Sequence, residues 1–85
     1  MLGLSGAYKH QMSENLRKLF GHNIRRLRSE RGLTQADLAL KAGLNRSYLG
    51  NVERGQRNIS LDNIAKVAHA LAVSPEVLLK SEVET

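Results

Sequence analysis

Residues 34–55 read TQADLALKAGLNRSYLGNVERG, and two short helices with a corner between them account for the whole stretch. Thr34 is an N-cap type residue with Asp37 three positions on, the spacing of a capping box, and Gly43 closes the segment. Only Gly43 and Leu44 separate it from Asn45, which can cap a second helix that Gly55 stops. Helices joined so tightly must cross steeply, and Gly43 can take the left-handed conformation the corner demands. Leu38, Ala39, Ala42, Leu44, Leu49 and Val52 fall on the inner faces, with the small Ala39 at the closest approach.

Working outward, the same punctuation recurs. Ser13 precedes Leu16, Leu19, Phe20, Ile24 and Leu27 at helical spacing, and Gly32 closes that run. Ser60 opens a helix in which Leu61, Ile64, Ala65, Ala68 and Leu71 share a face. Ser74, Pro75 and Glu76 supply an N-cap, an N1 proline and a first-turn acid for a short fifth helix ending around Lys80. With 41% hydrophobic and 4% aromatic residues among 85, the core is aliphatic and suits packed helices. The expectation is an all-α, compact five-helix domain over residues 13–80 with a helix-turn-helix at its centre. Residues 1–12 show neither period nor caps and read as a disordered arm, or as sequence upstream of a start at Met12; residues 81–85 form a C-terminal tail.

Composition narrows the function. The chain has no cysteine, so no disulfide framework or Cys-based zinc site is available. His10, His22 and His69 lack metal-ligand spacing, and no cofactor is expected. GLTQADL lacks the P-loop lysine, and no nucleophile elbow is present, so an enzyme is not expected. Apolar runs are too short to span a bilayer, and no signal peptide is visible, which points to the cytoplasm. The net charge of +5 is unevenly spread: ten Lys/Arg face three acids between Arg17 and Arg57, whereas four acids face two lysines from Asn58 onward. A basic front and a faintly acidic rear suit a polyanion partner for the front alone.

At about 100° per residue, Leu49 and Val52 define the inner side of the helix after Asn45. Arg46, Ser47, Gly50, Asn51 and Arg54 cluster on the opposite arc, which carries nothing apolar. Arg46 and Ser47 near the N-terminus, and Asn51 one turn on, are placed to reach base edges; Arg suits guanine O6/N7 and Asn suits adenine N6/N7. Gly50 in mid-helix costs about 1 kcal/mol relative to Ala, and its place within this arc proposes a reason: a side chain there would stand between helix and groove.

From Leu19 to Leu79, through IRRLRSERGLTQADLALKAGLNRSYLGNVERGQRNISLDNIAKVAHALAVSPEVLL, the chain resembles the lambda Cro/repressor-type, or XRE-like, family of DNA-binding domains. The resemblance implies a lambda-repressor-like fold whose third helix enters the major groove, with Arg46, Ser47 and Asn51 as base readers. It implies phosphate contact at Gln35, while Asn45, Tyr48, Arg54, Arg57 and Asn58 are further candidates for the DNA backbone; N-capping explains Asn45 equally well. It also implies that Arg28 and Glu53 form a structural ion pair. Arg25, Arg26 and Arg31 read as a solvated face at least as well as phosphate contacts.

One such module contacts few base pairs, so a homodimer on a palindromic operator is expected. Val73, Val77, Leu79 and Val83 exceed what a small core needs and are the candidate dimer interface. The expected function is that of a transcriptional regulator, a repressor or a controller of the restriction-modification kind, acting at RNA polymerase in the nucleoid. The rival readings are an antitoxin-type protein and an adaptor, each using its C-terminal part to bind a protein partner.

Overall fold

The computed structural model describes residues 6–81, with side chains from Met12 onward. Among these residues there are four α-helices, α1 (Gly6–Glu30), α2 (Gln35–Ala42), α3 (Arg46–Glu53) and α4 (Leu61–Leu71), closed by a 3-10 helix over Pro75–Leu79, and no strand. The fold is all-helical, and its fifth element is a 3-10 turn rather than an α-helix. Pro75 fixes the first residue of that turn, but Ser74 makes no side-chain cap bond, and five residues are too few to build an α-helical hydrogen-bond ladder.

The helix expected to begin after Ser13 begins at Gly6, so Ser13 lies inside α1 and the helical span reaches back into residues 1–12. Once a helix is nucleated, each further turn needs only residues without a strong breaker, and AYKHQM contains none. The arm's first five residues, like tail residues 82–85, lie outside the described residues.

Phe20, Ile24 and Leu27 of α1, Leu38, Ala39 and Ala42 of α2, Leu49 and Val52 of α3, Val67, Ala68 and Leu71 of α4, and Leu78 make one buried core. Two expected faces are turned from their sequence reading. In α4 the inward stripe runs through Val67, Ala68 and Leu71 with Ile64 at its edge, while Leu61 is 83% exposed. Leu61 sits in the first turn, beyond the packed face. In α1, Leu16 is 49% exposed, because the core begins one turn later at Phe20.

Each α-helix ends in the same closure. The N–H groups of Leu33, Leu44, Gln56 and Val73 donate to the carbonyls of Arg28, Ala39, Asn51 and Ala68, each five residues back, at 3.0, 2.8, 2.9 and 3.0 Å. This Schellman arrangement needs a left-handed residue just before the donor. Gly43 supplies it at the corner between α2 and α3, at φ +70°. Ala72 supplies it after α4, at φ +60°, the one non-glycine with positive φ among the described residues.

Two polar or small residues of α1 fix what packs on it. Gly21 meets the end of α3 so closely that an added Cβ would lie 2.4 Å from the Glu53 carbonyl oxygen and 2.5 Å from that of Val52. Asn23, fully buried, donates from Nδ2 to the carbonyls of Leu78 and Lys80, both at 2.9 Å. The C-terminal segment is thereby tied to the middle of α1.

Candidate nucleic-acid interface

Helix α3 starts at a cap and ends at a lock. Asn45 Oδ1 accepts from the Tyr48 N–H at 3.1 Å, satisfying one of the free N–H groups at the start of α3. At the other end the Glu53 side chain is wholly buried. Arg28 grips it through two bonds, Nε to Oε2 at 2.7 Å and Nη2 to Oε1 at 3.0 Å, and gives its remaining arm to the Leu33 carbonyl at 2.8 Å. Gln35 donates from Nε2 to Glu53 Oε1 at 3.0 Å, and Arg25 Nε stands 3.8 Å from that same oxygen. The hydrogen bond to Glu53 holds the Arg28 guanidinium above its ordinary pKa. One carboxylate thus joins α1, α2 and α3, and a buried charge so surrounded resists rotation of α3 about its axis.

With the inner side fixed, the outer side of α3 forms a shallow polar concavity lined by Gln35, Arg46, Ser47, Gly50, Asn51 and Arg54. All three residues proposed to read bases lie in it, along with two of those proposed for the DNA backbone. Gly50 is buried under the Gln35 amide and the Arg54 guanidinium, whose nearest atoms lie 3.5 and 3.6 Å from the place a Cβ would take. Arg54 lies along the surface, donating from Nη2 to Asn51 Oδ1 and from Nε to Gln56 Oε1 at 3.4 Å.

The other proposed backbone contacts sit on the flank. Arg57 stacks its guanidinium over the Tyr48 ring, 5.0 Å from the centroid, and the Tyr48 hydroxyl accepts from Asn63 Nδ2 at 3.2 Å. This places a cation and an aromatic hydroxyl side by side beyond the concavity. Asn58, together with Arg57, lines a second groove beside Leu16, Phe20, Ile59, Ile64 and Leu79.

Of the candidate interface residues, Val73 and Val77 pack partly against the core, Leu79 is 46% exposed, and Val83 lies outside the described residues. Among the described residues, no three His, Cys, Asp or Glu side chains converge as a metal site, and no helix is long and apolar enough to cross a membrane.

Sequence reasoning missed Gly21, Asn23 and the bond from Gln35 to Glu53. Asn23 had a signal: it occupies a core-facing position between Phe20 and Leu27, where an apolar residue would otherwise stand. Gly21 had none, since its partners are backbone carbonyls from a distant helix.

Residues 24–78 match the Helix-turn-helix family HTH_3. The control protein C.BamHI of Bacillus amyloliquefaciens is 46% identical over 69 residues, covering 80% of this chain and 85% of its own. The crystal structure of the restriction-modification controller protein C.AhdI from Aeromonas hydrophila superposes with a TM-score of 0.72 at 53% identity, covering 73% of this chain and 94% of that one. SinR, the master regulator for biofilm formation crystallised in complex with DNA, matches with a TM-score of 0.69 at 39% identity, covering 72% and 98%. The two crossed helices, the locked third helix and these matches agree: the chain belongs to the XRE-like helix-turn-helix family, HTH_3, alongside restriction-modification controller proteins and SinR-type regulators.

Proposed function

We propose that the protein is a sequence-specific DNA-binding transcriptional regulator that lays α3 in the major groove and binds a palindromic operator as a homodimer. The observation that carries this reading is the outer surface of α3, where Arg46, Ser47, Asn51 and Arg54 form one polar concavity on a helix whose orientation is held by Arg28 and Glu53. Base edges are recognised by such fixed donors and acceptors. Gln35, Tyr48, Arg54 and Arg57 border the base readers and serve the phosphates, which set register without reading sequence. The likeness to a regulator crystallised with DNA supports the same mode. Two copies joined through Val73, Val77, Leu79 and Val83 double the length of DNA read. On its operator the dimer blocks or recruits RNA polymerase, in the cytoplasm and at the nucleoid.

The test starts with duplexes selected from a random pool. Arg46→Ala is expected to weaken binding to the selected site by about 1–3 kcal/mol and to relax preference at one base pair. Equal loss on selected and random DNA would refute the base-reading role. Affinity is expected to fall steeply with salt, because several cations displace counterions from phosphate.

A further inference from the structure

We propose that Arg25 is a further phosphate-binding residue, a cation that α1 supplies to the DNA backbone beside Gln35. The inference rests on the DNA-binding role proposed above and adds to it a side chain from outside the two crossed helices.

Four arginines crowd the end of α1 and the residue after it, and the structure employs them differently. Arg28 spends Nε and Nη2 on Glu53 and Nη1 on the Leu33 carbonyl. Arg26 Nη1 donates to Glu30 Oε2 at 3.2 Å, one turn on. Arg31 Nη1 donates to the Leu27 carbonyl at 3.2 Å. Arg25 differs from all three. Its Nε stands 3.8 Å from Glu53 Oε1, too far for a hydrogen bond, and its side chain is 64% exposed.

Location and charge together turn this availability into a contact. Glu53 Oε1 is the same oxygen that accepts from Gln35 Nε2 at 3.0 Å, and Gln35 lines the concavity with Arg46, Ser47, Gly50, Asn51 and Arg54. Two side chains converging on one oxygen put Arg25 beside the Gln35 end of that concavity. The single charge of Glu53 is already matched by Arg28, which holds both carboxylate oxygens. The charge of Arg25 is therefore surplus, and an exposed cation at such a distance from its anion adds little to stability. Gln35 keeps one amide hydrogen after Glu53 takes the other, but it brings no charge. At a phosphate between them Gln35 supplies a neutral donor and Arg25 a charge-assisted one.

The test measures affinity for a selected duplex and for random DNA across a salt series, with the wild type, Arg25→Gln, Arg25→Lys and Arg26→Gln. Arg25→Gln is expected to lower the slope of log affinity against log salt by about 0.9, the share of one phosphate. It should weaken both kinds of DNA by the same factor, with the selected sequence and the melting temperature unchanged. Arg25→Lys and Arg26→Gln are expected to keep the wild-type slope. Neutral methylphosphonates, placed one at a time in the selected duplex, should include one that weakens the wild type and leaves Arg25→Gln unaffected. A wild-type slope in Arg25→Gln, the absence of such a phosphate, or an equal drop in Arg26→Gln overturns the proposal. So does an altered base preference or a lowered melting temperature in Arg25→Gln, which would make Arg25 part of the Glu53 lock instead. All of these leave wild-type selection intact, whereas a wild type that enriches no duplex overturns the DNA-binding role itself.

Discussion

Two glycines inside helices meet opposite surroundings, and the difference decides what alanine does at each. At Gly50 a Cβ would touch only the ends of Gln35 and Arg54, at ordinary contact distances of 3.5 to 3.8 Å. Gly50→Ala is therefore expected to raise stability by up to about 1 kcal/mol through helix propensity, read as a higher melting temperature, whereas Gly50→Leu would displace both side chains and abolish selective DNA binding in a folded protein. At Gly21 the Cβ would sit 2.4 Å from a backbone carbonyl, so Gly21→Ala must push α1 and α3 apart. A loss of about 1–3 kcal/mol is expected, the range for overpacking; an unchanged denaturant midpoint would contradict the close approach. Asn23→Ala would strand the Leu78 and Lys80 carbonyls, at a cost of about 2–4 kcal/mol. The outer arc around Gly50 was legible because helical period places it from local sequence alone. Gly21 was not, since nothing local says which backbone crosses there.

Helix ends were the most readable elements, and caps show why. Thr34, Asn45 and Ser60 each accept a bond from the N–H three residues on, a pattern confined to four consecutive residues. The start of α1 was not readable, because a helix without a stop signal continues past any internal serine. The end of α4 was obscured in another way: it closes like the others but on Ala72. An alanine in the left-handed region costs about 1–2 kcal/mol, partly offset when glycine's looser unfolded chain is counted. Ala72→Gly is expected to stabilise the protein by up to about 1 kcal/mol in equilibrium unfolding. At α2 the capping box makes a pH prediction. The bond from the Thr34 N–H, with that from its hydroxyl, holds the Asp37 carboxylate below its ordinary pKa. A lowered carboxylate stabilises fully above its unfolded value and ceases to do so as pH falls through the folded one. The melting-temperature advantage of the wild type over Asp37→Ala should therefore be constant near neutrality and be lost as the pH falls through and below the ordinary carboxylate range.

Across the whole molecule, the proposed dimer residue Leu79 lines one groove with Arg57 and Asn58, two of the residues proposed for the DNA backbone. Leu79, exposed and outside the core, is the cleanest probe of the proposed dimer. Leu79→Glu is expected to shift sedimentation toward monomer and leave the melting temperature nearly unchanged, whereas Val73 and Val77, which also pack on the core, would report both effects at once. The sequence carried the helix-turn-helix and its polar outer arc, while the tie from Asn23 to the C-terminal segment joins residues 55 and 57 positions apart and could emerge only from the fold. The buried Glu53 has a consequence for how such a protein changes over generations. Arg28, Gln35 and Glu53 hold the angle of α3, and Arg46, Ser47 and Asn51 take no part in those bonds. Under the proposed reading, substitutions at the latter three would retarget the protein while its posture on the double helix is kept. Two duplicated copies in one cell could drift to separate operators by exchanging a few outer residues, each inheriting an intact frame.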